Sequence, residues 1–146
     1  MRTSLIIALA TLATCGAAQA ADNRQLVEMP AMMQEHMLGS MRDHLVALDE
    51  ILAAVSAERF DAAAKVAETR LGMSSFAQHG AAQMAAYMPK PMQEAGGALH
   101  RAASRFAMAA TDADVDRSYA AMKGLMGALS EMTTACNGCH VGYRVR

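Results

Sequence analysis

Apolar residues recur at steps of four and three from Val115 through Tyr119, Met122, Met126, Leu129, Thr133, Cys136 and His140 to Tyr143, the spacing that keeps side chains on one face of an α-helix. A chain with such a stripe must bury it against other helices. This stripe runs into Cys136-Asn137-Gly138-Cys139-His140, so a thiol and an imidazole continue the face predicted to pack the core. Cys139 falls on its shoulder with Leu125, Met132 and Cys136. Two cysteines three apart, with histidine directly after the second, form the attachment signal for a c-type haem. Each thiol can add to a vinyl group as a thioether, and the next residue offers an imidazole nitrogen to the iron. The competing readings fit less well. A thioredoxin-like pair belongs after a strand, at the start of a helix. A tetrahedral zinc site needs two more ligands, and the only other cysteine is Cys15.

Export is expected from the start of the chain. Arg2, an apolar run from Leu5 to Ala13, and Ala18-Gln19-Ala20 predict a secretory signal peptide over residues 1–20. That leaves one domain, residues 21–146, in the periplasm. A net charge of −1 gives nucleic acid nothing to bind, and no second apolar run is long enough to span a membrane. Aromatics are only 4% of the residues. Strands favour aromatic and β-branched side chains, whereas alanine and methionine favour helices, so the fold class is all-α.

The remaining periodicity predicts the other helices. Pro30 to about Val55 reads as the first, with Leu38, Met41, Leu45, Leu48, Leu52 and Val55 inward. Asp61 is expected to cap a second, ending near Leu71 before Gly72. Residues 76–88 could form a short helix stopped by Pro89 and Pro91. A third begins near Pro91, with Met92, Gly96, Leu99, Ala103, Phe106 and Ala110 inward. Thr111 to Asp114 is expected to cap the fourth. Four amphipathic helices with short links predict an antiparallel four-helix bundle with a covalent haem site at its carboxy-terminal end.

The helices, the export signal and Cys136-x-x-Cys139-His140 with Tyr143-Arg144 just beyond resemble the cytochrome c prime family, including its low-spin relatives. The match is specific over Cys136 to Arg144 and looser along the first helix and Phe60-Asp61-Ala62-Ala63. The methionine-rich stretch from Met73 to Met92 departs from it. The resemblance implies one haem c held by Cys136 and Cys139, His140 as proximal iron ligand, and Arg144 near that imidazole or a propionate. It places the distal residue on the first helix, at or beside Leu38. An apolar Leu38 leaves the iron five-coordinate and open to nitric oxide or carbon monoxide. A thioether from Met41, or else Met37, makes it six-coordinate and suits electron transfer with redox partner proteins. A homodimer packed through the first two helices is also implied.

The alternative is a copper-handling bundle. Met29, Met32, Met33, His36, Met37 and Met41 crowd the first helix, and His79, Met84 and Met88 recur at helical spacing. Thioethers and imidazoles suit Cu(I), although methionine is also an ordinary core filler. His36, His44, His79 and His100 are read as surface or satisfied core residues rather than iron ligands. No Ser/His/Asp or paired-carboxylate arrangement is found, so an enzyme acting on an organic substrate is not expected.

Overall fold

The computed structural model describes residues 21–146; the expected signal peptide and Cys15 lie outside them. The described chain is mainly helical. Helix α1 spans Ala31–Ser56, with Pro30 at its N-cap, where the missing N–H has no partner to lose. Glu58, in the left-handed region at φ 56, closes α1 by donating its N–H to the Val55 carbonyl at 3.0 Å. Helix α2 spans Phe60–Val66. Asp61 is not its cap: Arg59 holds that position without a side-chain bond, and Asp61 sits in the first turn, where its charge faces the positive end of the helix dipole.

The helix widens into a π turn, Ala67–Leu71, and stops where Gly72 turns extended. A 3₁₀ turn at Met73–Ser75 and a short helix α3, Ala81–Ala85, follow. Gly80 precedes α3 at φ 64, where a side chain would be strained and would crowd the His36 ring. Helix α4 spans Lys90–Val115 and α5 spans Tyr119–Gly142. The break between them falls later than expected. The stretch from Thr111 to Asp114 remains inside α4, and Ser118 caps α5 by accepting from the Ala121 N–H at 3.2 Å. No helix among the described residues is long and apolar enough to cross a membrane.

Two buried faces differ from the predicted stripes. On α1 the buried residues are Met37, Ala47, Ile51 and Ala54, while Leu45 and Leu52 are 69% and 46% exposed. On α5 they are Leu125, Leu129 and Met132, while Tyr119 on that helix and Val115 at the end of α4, both expected inward, are 85% and 86% exposed. One core cluster is built largely from small side chains. Ala47 and Ala54 of α1 join Ala63 and Ala64 of α2 and Ala103 and Ala110 of α4 in one core around Phe106. Alanine permits close backbone approach, and bulkier leucines move to the flanks. The inward face of α4 is the one expected, with Met92, Leu99, Ala103, Phe106 and Ala110 all buried.

One feature has no counterpart in the sequence reading. Strand β1, Gln25–Leu26, pairs in parallel with β2, Tyr143–Arg144, directly after α5. The Val27 N–H donates to the Arg144 carbonyl at 2.8 Å, and the Gln34 amide donates to the Val145 carbonyl. The amino-terminal segment is thereby strapped to the end of α5.

Candidate functional site: a cavity between α1 and α5

Helix α1 packs on α2 and its π turn, and α5 packs on α4. No comparable backbone approach joins α1 to α5, and a cavity of about 770 Å³ opens between their facing sides. That volume lies within the usual range of cofactor pockets. From α5 the wall receives Met132, Cys136, Cys139 and His140; from α1, Met37, Met41, His44 and Leu48; from α4, Met92, Gly96, Leu99 and His100. A Cβ built on Gly96 meets no atom within 4 Å, so the α4 backbone itself faces open space there.

Cys136 and Cys139 are free and half-buried. Three residues is nearly one helical turn, so both thiols reach the same wall. Burial raises both thiol pKa values above their ordinary range, and proximity of Cys136 adds to the rise at Cys139. His140 is solvent-exposed yet reaches the cavity rim. Of the distal candidates, Met37 is 7% exposed and Met41 half-buried, and both line the cavity. Half-buried Leu38, one position round the helix, does not line it.

The strap closes one end. Val27, Met37, Met84 and Met92 form a separate apolar cluster, with Met41, Cys139 and Tyr143 packed against it. Arg144 is not on the cavity wall. Its Nε lies 3.7 Å from Asp22, too far for a hydrogen bond, and is buried without a partner.

A histidine group was missed as such by the sequence reading. His44 of α1, His79 before α3 and His100 of α4 stand together on the wall. Their ring centres are 4.8, 5.2 and 6.2 Å apart. His100 Nδ1 donates to the Gly72 carbonyl at 3.1 Å, which makes it a satisfied core residue. His44 Nε2 and His79 Nδ1 are buried without partners. Burial, reinforced by the neighbouring imidazoles, brings the His44 pKa down to about 4. Burial also lowers those of His79 and His100, with His100 adding to the effect at His79. The rings are thus neutral at pH 7. The available signal was a second α1 stripe, Met37, Met41, His44, Leu48 and Ile51, at steps of four, three, four and three. As the side chains stand, no group of three or more His, Cys, Asp or Glu among the described residues is arranged to hold a metal ion.

The residues present fit a covalently held porphyrin. Two free thiols at attachment spacing and an imidazole share one largely apolar wall of suitable size. No family model, curated protein or solved structure matches this chain.

Proposed function

We propose that this chain is an exported, periplasmic monohaem c-type cytochrome of the kind the cytochrome c prime resemblance implies. In this reading α1, the α2 segment, α4 and α5 act as a four-helix bundle around one haem c. The observation that carries it is the shared cavity of Cys136, Cys139 and His140. Cys136 and Cys139 would hold the group through their sulfur atoms, and His140 would offer an imidazole nitrogen to its iron. Haem iron supplies a one-electron couple and, where a coordination position stays open, a seat for a small gas. The protein's part is to bind, shelter and tune. Met37, Met41, Leu48 and Leu99 exclude water from the cavity, and a drier surrounding shifts a redox couple. The presence of Met37 and Met41 on the wall, with Leu38 off it, supports a thioether as a further protein ligand to the iron and hence electron transfer to a redox partner protein.

Haem staining after denaturing electrophoresis tests the reading, because only thioether-bound haem survives unfolding. Protein matured in a host with haem-attachment machinery is expected to stain, and Cys136→Ala with Cys139→Ala to abolish the stain. A colourless, unstained wild type overturns the proposal. The reduced spectrum with and without carbon monoxide then separates a methionine-ligated iron from an open one.

A further inference from the structure

Three imidazoles from three separate parts of the chain meet on the cavity wall, and the haem reading gives none of them a task. We propose that His44, His79 and His100 form a binding site for one borderline divalent transition-metal cation, of the class of Zn²⁺ or Cu²⁺.

Spacing is the first argument. A metal–nitrogen bond of about 2.0–2.1 Å puts each ring centre about 3.2 Å from the ion, so tetrahedrally disposed imidazoles have centres about 5.2 Å apart. The observed separations are 4.8, 5.2 and 6.2 Å.

The free nitrogens are the second. His100 gives its Nδ1–H to the Gly72 carbonyl, the outer hydrogen bond that fixes a ligating histidine's tautomer and leaves the Nε2 lone pair available. His44 Nε2 and His79 Nδ1 are buried and unbonded, a cost that a ligand removes. The rings do not yet converge: His44 and His79 stand edge to face at 61°. Rotation about the histidine χ2 bond is soft, and it is the adjustment an arriving ion demands.

Charge is the third. Neutral imidazole is the ligating form, and burial holds all three rings neutral at pH 7. The charged groups facing the cluster are Asp43 and Arg70; they pair with each other, and Arg70 also bonds Glu50 at 2.8 Å. The cation meets little net repulsion, and Asp43 is not free to replace a histidine. Three protein ligands leave the fourth position of a tetrahedral ion to water or another small ligand.

The site does not depend on the haem reading, and the test keeps the two apart. Zn²⁺ is titrated into the full mature chain against a chromogenic chelator, with Mg²⁺ as the hard-cation control and haem staining of the same samples. One Zn²⁺ per chain is expected, unchanged by Cys136→Ala with Cys139→Ala. His44→Gln, His79→Gln and His100→Gln are each expected to weaken binding more than about tenfold, since loss of even an outer-shell partner costs ten- to a hundredfold. His79 lies on an irregular segment, so His79→Gln is the variant least able to unfold the chain, and circular dichroism checks that it is folded. The proposal is overturned if folded His79→Gln binds Zn²⁺ as tightly as wild type, if binding vanishes with the thiols instead, or if the wild type takes up none. Stained protein that ignores Zn²⁺ rejects this site alone; colourless protein that binds it rejects the haem reading alone.

Discussion

Truncating Leu125 and truncating Met126 should have very unequal consequences, although they are neighbours and the apolar periodicity of α5 favours Met126 as the inward one. Leu125 is fully buried in the core with Phe106, Leu129 and Met132, whereas Met126 is 50% exposed. Leu125→Ala removes three carbons from a dry site, about 2.4 kcal/mol of transfer free energy at about 0.8 kcal/mol per carbon. If neighbours close about half the vacated space, a residual hole of about 40 Å³ adds about 1 kcal/mol. The total, about 3.4 kcal/mol, is a large share of the roughly 5–15 kcal/mol that holds a domain together. With a urea slope of about 2 kcal/mol per molar, the midpoint should fall by about 1.7 M. Met126→Ala should stay within about 0.5 kcal/mol of wild type, as surface changes do. Urea titration followed by far-ultraviolet circular dichroism measures both. A Met126→Ala loss equal to or larger than that of Leu125→Ala would refute the assignment of the buried face.

Two other outcomes follow from local geometry. Burial pulls the Glu68 carboxyl pKa up, but hydrogen bonds from Ser104 at 2.6 Å and from the Ser74 hydroxyl and N–H at 2.5 and 3.1 Å outweigh it, so the net shift is downward from 4.5. A lowered carboxyl pKa stabilises the fold above the unfolded value, and that stabilisation is lost as pH falls through the folded one. Ser104→Ala also removes the acceptor of the Met73 N–H at 2.9 Å, a loss that holds at every pH, so it should destabilise the protein most at neutral pH and progressively less as pH falls below 4.5 through the folded value; urea midpoints that fall equally at neutral and acid pH would reject the link. Gly96→Leu should place its Cβ in open space on the cavity wall. It is expected to raise the melting temperature of haem-free chain, because leucine is the better helix former, while lowering haem content per chain, read from the stained band against total protein. Unchanged haem content would show that the group does not occupy the cavity beside Gly96.

Much of the molecule was legible from local signals. Helix formation follows from spacing, alanine content and the positions of Pro30, Gly72, Pro89 and Pro91, and it emerged close to where it was expected. The inward face of α4 was readable because its large apolar residues lie on one stripe. On α1 and α5 more than one stripe is apolar, so periodicity could not choose between them. Tertiary packing chose the alanine face of α1 and the Leu125 face of α5, since backbone approach rewards small side chains and a cavity wall tolerates long ones. The late end of α4 was also hidden: Asp112 and Asp114 look like caps, but helix continuation through Val115 left Ser118 to do that work.

By itself the sequence determined the helical character of the chain and the grouping of two thiols and an imidazole near its end, because helix periodicity and the Cys-x-x-Cys-His spacing are set within a turn or two of backbone. Only the tertiary structure decided what that chemistry faces. The cavity exists because α1 and α5 are held apart by the helices each leans on, and the strap from Gln25 to Val27 reaches the end of α5 across more than a hundred residues of chain. His44, His79 and His100 are far apart in sequence and meet only because α1, the segment before α3 and α4 share one wall. Contacts of that range are fixed by packing the whole chain, and no local pattern records them.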